Sequence, residues 1–216
     1  GVQNFWFFLL SDGGSGVNTL LMRAVTTVNL ANADQTSGDI SDVVNFQNVD
    51  ASSLTAAQAV DVTGSADANV ITGGAGADVI DGAGGADTIN AGAGADIVSY
   101  RGSETSVDGG AGADTLIFTT SGGASAVDLS VAAGADQTTG DAVAVRNFEN
   151  IDASALLTAL NVVGSSAANT IATGAGADVI DGNGGADVIA AGAGADTVSY
   201  RGSEISIDGG SGVNTL

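Results

Sequence analysis

Residues 73–99 read GGAGADVID, GAGGADTIN and AGAGADIVS, three nonapeptides laid end to end. In each, a run of Gly and Ala ends on an aspartate (Asp78, Asp87, Asp96), and three residues follow whose middle member is aliphatic (Ile80, Ile89, Val98). The first six residues are too short and too rich in glycine for a helix, whereas the last three have strand character. Turn, short strand, turn, short strand describes a coil. When coils stack at the ~4.8 Å strand spacing, the aliphatic residue at place eight becomes the rung of a buried ladder.

The same phase continues outward on both sides. GSADANVIT precedes these lines from Gly64, and YRGSETSVD and GGAGADTLI carry the array to Ile117. A second array, GSSAANTIA, TGAGADVID, GNGGADVIA, AGAGADTVS, YRGSEISID and GGSGVNTL, fills residues 164–216. Place six is Asp or Asn in most lines and departs in the two YRGSE lines; place eight is always Ile, Val or Leu. The flanking segments are duplicated as well, VNFQNVDAS at 44–52 answering VRNFENIDAS at 145–154. The chain therefore divides into residues 1–20, the end of a preceding unit, and two solenoid units, 21–116 and 117–216, in one continuous stack. GGSGVNTL occurs at 13–20 and again at 209–216, as expected of a segment from a tandem array.

Six consecutive lines of period nine, twice over, with Asp at place six, resemble the RTX (repeat-in-toxin) calcium-binding repeats. The resemblance implies an all-β fold, a parallel β-roll or β-solenoid with roughly two nonapeptides per coil, so that each line stacks on the line after next. It also implies several Ca2+ ions, each held by place-six side chains and by glycine carbonyls of successive coils. Calcium takes six to eight oxygen ligands, which two stacked loops of this composition can supply.

Pairing residues eighteen apart then places Asp78, Asp96 and Asp114 in one column, with carbonyls from Gly74, Gly76, Gly92, Gly94, Gly110 and Gly112. The opposite column, Asn69, Asp87 and Thr105, has fewer charges and should hold fewer or weaker ions. In the second unit the columns are Asp178, Asp196 and Asn214, with Gly174, Gly176, Gly192 and Gly194, and Asn169, Asp187 and Ile205. Ile205 removes a ligand outright. The YRGSE lines should interrupt the array, with Glu104 and Glu204 facing solvent, or else reaching round to a neighbouring ion. A metal-free alternative has each Asp capping its own turn. That accounts for one or two loops, but not for like charge stacked throughout or for neutral Asn confined to the array borders.

Composition points the same way. The chain has 34 Gly, no Pro, Cys or His, and a formal net charge of -21, yet 44% of it is hydrophobic. A disordered acidic tail would lack those apolar residues. Glycine entropy and carboxylate repulsion oppose folding, so a cation should supply the missing stability. With four basic residues there is no patch for nucleic acid or anionic membranes. Without His or Cys, and with every Asp recurring line after line, no catalytic constellation stands out.

Residues 21–63 and 118–163 contain alternations such as Val25–Leu30 and Ala126–Val131 that suit half-buried strands of wider solenoid coils. There Phe46 and Phe148 should fill the core, while Asn45, Asn48, Asn147 and Asn150 form side-chain ladders or cap turns. FWFFLL, from Phe5 to Leu10, is too short to span a membrane and lacks signal-peptide flanks. It reads as a cap, a partner contact or one more coil.

The functional expectation is a secreted, extracellular bacterial repeat module, not an enzyme, that folds on meeting calcium and forms part of an adhesin, surface layer or filament. Self-association head to tail, or continuation of a longer array, follows from the open ends of a solenoid. An alternative is the non-catalytic calcium-binding module of a type I-secreted enzyme; an ice-binding solenoid would need a regular Thr-x-Thr face that is absent.

Overall fold

A computed structural model describes residues 9–24, 27–37 and 41–216. Those residues form twenty-seven strands of two to four residues, and among them no helix is long and apolar enough to cross a membrane. The aromatic stretch Phe5–Phe8 lies outside the described residues. Leu9–Asp12, just after it, pairs in parallel with Ser41–Val44 and so belongs to a coil.

Within the arrays the register is the one that an eighteen-residue coil requires. Ile89 lies between Ile71 and Val107, and Val98 between Ile80 and Leu116, all in parallel. These place-eight side chains are buried, as are Ile171, Ile180, Ile189 and Val198. The chain is a β-solenoid whose core is a ladder of aliphatic rungs.

Between the arrays the coils widen. Thr115 pairs with Asn150, and Ser106 with Ala144. The extra length makes a hairpin: Thr27–Asn29 pairs antiparallel with Thr36–Ser37, and Ala126–Asp128 with Thr138–Thr139. A glutamine clamps each one. Gln137 Nε2 donates to Phe148 O (2.9 Å) and its Oε1 accepts from Phe148 N (2.9 Å); Gln35 makes the same pair of bonds with Phe46. Phe148 is thereby held in the core, while Phe46 is partly buried against it. Asn45 and Asn147 sit at φ 62° and 58°, in the left-handed region that Asn tolerates. Asn48 and Asn150 accept from Val70 N and Thr170 N of the next coil. The four asparagines therefore turn and cap the backbone.

One sheet runs the length of the stack. It contains Thr27–Asn29, Asp61–Thr63, Val79–Asp81, Ile97–Tyr100, Thr115–Phe118, Asn150–Asp152, Thr170–Ala172, Val188–Ala190 and Ser206–Asp208. Its partner wall changes. In the first half it is the sheet from Thr19–Leu21 to Ala144–Arg146; in the second it is a different sheet, from Ala126–Asp128 to Thr197–Ser199. The hairpin coil opens a third wall, and the chain keeps that wall when it narrows again. Val79–Asp81 consequently lies in the through sheet, whereas its repeat counterpart Val179–Asp181 lies in the opposite wall.

Candidate metal centre

The nonapeptide turns are built by glycine where the loops stack. The carbonyl of Gly94 comes so close to Gly112 in the next coil that a Cβ there would lie 1.5 Å from it. Gly76 O faces Gly94 in the same way, at 2.2 Å from a notional Cβ. Only residues without a side chain let the loops approach this closely and present their carbonyls to one another.

The place-six side chains lock each loop to the one before it. Asp78 N donates to Asp96 Oδ1 (2.8 Å) and Asp96 N to Asp114 Oδ1 (2.8 Å). On the other edge Asn69 N donates to Asp87 Oδ1 (2.8 Å). The second unit repeats this, Asp178 N bonding Asp196 Oδ1 (2.9 Å), Asp196 N bonding Asn214 Oδ1 (3.0 Å) and Asn169 N bonding Asp187 Oδ1 (2.9 Å). The columns expected from the spacing are thus the columns formed. Of the glycine carbonyls, those of Gly74, Gly92, Gly174 and Gly192 each accept an amide from the next loop, which leaves one lone pair apiece.

Each accepting carboxylate uses Oδ1 in that bond, as Asp178 does toward Leu160 N (2.8 Å), and has a second oxygen. Oδ2 of Asp87, Asp96, Asp114, Asp178, Asp187 and Asp196 is buried without any partner. A buried acceptor left unpaired costs about 1–3 kcal/mol, more when charged, and six of one kind at one repeat position call for a common cause. Burial, and then neighbouring acids, push Asp87, Asp96 and Asp114 up to about 6. Among the described residues no group of three His, Cys, Asp or Glu side chains converges as a metal cluster. A cation here would take one or two carboxylate oxygens and fill its shell from the loop carbonyls, a donor set of oxygen alone that suits a hard ion such as Ca2+.

Some of the expected residues are engaged otherwise. Asp78 is satisfied at both oxygens, by Val60 N and Gly74 N. Asn69 and Asn169 accept from Ser65 N and Ser165 N, and donate to the carbonyls of Gln47 and Glu149. Thr105 donates its hydroxyl to Ala86 O, and Ile205 is exposed.

The YRGSE line does interrupt the columns, but the expectation of a solvated Glu104 is corrected. Glu104 is buried, its carboxylate accepting from Arg101 N (2.9 Å) and Gly102 N (2.7 Å). It caps its own turn because those amides have no ladder partner there. Glu204, half-buried, makes the same bonds. Arg101 reaches back one coil to grip Asp81 with both ends of its fork (3.0 and 2.6 Å), holding that carboxyl below its usual value against the opposing effect of burial. Tyr100 packs against Phe118 with the rings tilted by 53°, and donates to Asp141 Oδ2 (2.5 Å).

One carboxylate in line with the column has no signal in the nine-residue period. Glu149, on the wide coil, accepts from Asp114 N through Oε2 (2.8 Å). It stands to Asp114 as Asp114 stands to Asp96. The one trace of this in the sequence is the duplication itself, which sets Glu149 opposite Gln47.

Comparison with known families agrees with this geometry. A family model described as the RTX calcium-binding nonapeptide repeat matches in four copies, over residues 63–98, 106–118 and 163–198. No curated protein matches the chain.

Proposed function

We propose, from the premise that these nonapeptide arrays belong to the RTX calcium-binding repeat family, that the chain is a calcium-locked structural module of an extracellular bacterial surface protein. Repeats of this family bind Ca2+ and serve as structural modules, and they are typical of secreted bacterial proteins. The observation that carries the reading is the set of six buried aspartate oxygens without a partner, on six of the seven place-six aspartates. Those carboxylates, with the carbonyls of the glycine places named above, are the ligands we assign.

Folding is coupled to the ion. At calcium levels too low to fill the loops, glycine entropy and carboxylate repulsion keep the chain open; external calcium closes it. Such a switch suits a protein that crosses a channel unfolded and is locked outside. An adhesin, surface layer or filament needs this kind of stiff, repetitive element. Parallel backbone ladders between successive coils also suit end-to-end association of copies.

Circular dichroism during titration with Ca2+, with Mg2+ as the control, tests the reading. A coil-to-β transition specific to calcium is expected, followed by fibres or sheets in electron microscopy. A β fold already complete in chelator overturns the coupled folding, and monomers alone at high calcium overturn the assembly.

A further inference from the structure

We infer that Asp114, Glu149 and the carbonyls of Gly110, Gly112 and Asn147 form a further calcium site, at the junction where the first array meets the wide coil. The inference rests on the calcium reading above and extends it beyond the nonapeptides.

The molecule holds a second copy of the turn at this junction. The turn Gly13–Asn18 and the segment Asn45–Gln47 repeat as Gly109–Asp114 and Asn147–Glu149. Both copies are built alike. Asn45 Nδ2 donates to Asp12 Oδ1 and Asn147 Nδ2 to Asp108 Oδ1, each at 2.7 Å. Gly14 N and Gly110 N bond to those same oxygens. Asn18 N donates to Gln47 Oε1 and Asp114 N to Glu149 Oε2, each at 2.8 Å. The copies differ in four side chains: Ser15 and Val17 become Ala111 and Ala113, and the other two changes share one sign, the amides Asn18 and Gln47 becoming the acids Asp114 and Glu149.

What the amide does in the first copy identifies what the second copy needs. Asn18 Nδ2 points into a cradle of carbonyls, with Gly14 O at 3.5 Å, Gly16 O at 3.2 Å and Asn45 O at 3.3 Å. Its NH2 group, carrying partial positive charge, fills the cradle. In the second copy Asp114 stands as Asn18 does, its Cβ 3.1 Å from a notional Cβ on Gly109 where Asn18 Cβ is 3.0 Å from one on Gly13; with Oδ1 taken by Asp96 N, Oδ2 is left to take the place of that nitrogen. It has no proton to offer, it is buried, and it has no partner. The matching carbonyls belong to Gly110, Gly112 and Asn147, and Asn147 O approaches Gly109 as Asn45 O approaches Gly13, 2.3 and 2.5 Å from a notional Cβ. Acceptors thus face acceptors with a second carboxylate alongside, an arrangement that a divalent cation completes.

The position gives the site a structural purpose. Asp78, Asp96, Asp114, Glu149, Asn169 and Asp187 each precede a strand of the through sheet. Glu149 accepts from Asp114 N with its side chain and from Asn169 Nδ2 with its carbonyl (2.6 Å). An ion there joins the two arrays into one line across the segment where the partner wall changes.

The test is a count of bound Ca2+ by native mass spectrometry on the full chain at saturating calcium. Glu149→Gln keeps an acceptor for Asp114 N, as Gln47 does for Asn18, and is expected to bind one ion fewer than wild type. The double variant Asn18→Asp with Gln47→Glu is expected to bind one more. An unchanged count in Glu149→Gln overturns the inference. If that variant does not fold, the double variant decides: a gain of one ion supports the site and no gain overturns it. Wild type binding no calcium at all would instead fail the reading on which the inference rests, so the two failures are distinguishable.

Discussion

Exchanging calcium for protons should reverse the pH dependence of this protein's stability. Asp87, Asp96 and Asp114 are pushed from the usual 3.8 to about 6, burial being the largest cause. A rise of about two units corresponds to ~3 kcal/mol per group against the metal-free fold once the carboxylate is ionised. Between 3.8 and about 6 the folded state holds protons that the unfolded chain has released. Metal-free stability therefore falls as pH rises through that window and is lowest above about 6. Calcium removes the penalty by compensating the charge, and because it competes with protons its affinity should weaken as pH falls through about 6. Thermal melts followed by circular dichroism, at about pH 5 and about pH 7.5, with and without calcium, read all of this. The metal-free chain should be the more structured at the lower pH, and added calcium should raise the melting temperature most at the higher. A metal-free chain that is as stable or more stable at about pH 7.5 would refute the reasoning.

Two substitutions separate the close-packed loops from their surroundings. Gly112→Ala sets a Cβ 1.5 Å from Gly94 O and should cost about 3 kcal/mol or more, whereas at Gly84 the nearest atom is 3.7 Å away and φ is not in the left-handed region, so Gly84→Ala should be neutral or gain about 0.4–1 kcal/mol; calcium-saturated melts rank the two. Arg101→Ala removes a fork on Asp81 whose partners are 36% and 29% exposed, and the loss should stay within about 1 kcal/mol, shrinking in high salt.

Much of the molecule follows from local period. Place eight can only be a core rung when every second line stacks, and the same eighteen-residue interval sets Asp78, Asp96 and Asp114 in one column, because within the arrays each coil has the same perimeter. The composition likewise points to a cation, since 25 acidic residues face four basic ones. Where the perimeter changes, the period stops being informative. Which residue lies over Asp114 depends on how much chain the hairpin clamped by Gln137 takes up, so Glu149 is invisible to an eighteen-residue rule. The exchange of the partner wall, which puts Val79–Asp81 and Val179–Asp181 on different sheets, is decided by the third wall that the hairpin coil opens. Glu104 reads as a surface acid in the sequence and is buried in the fold, because the turn it ends leaves two amides that only its own carboxylate can reach. The sequence by itself determined the repeat, the core ladder and the oxygen-only chemistry of the loops; the tertiary structure decided which loops meet, because that depends on the length of chain between them and not on the residues at either end.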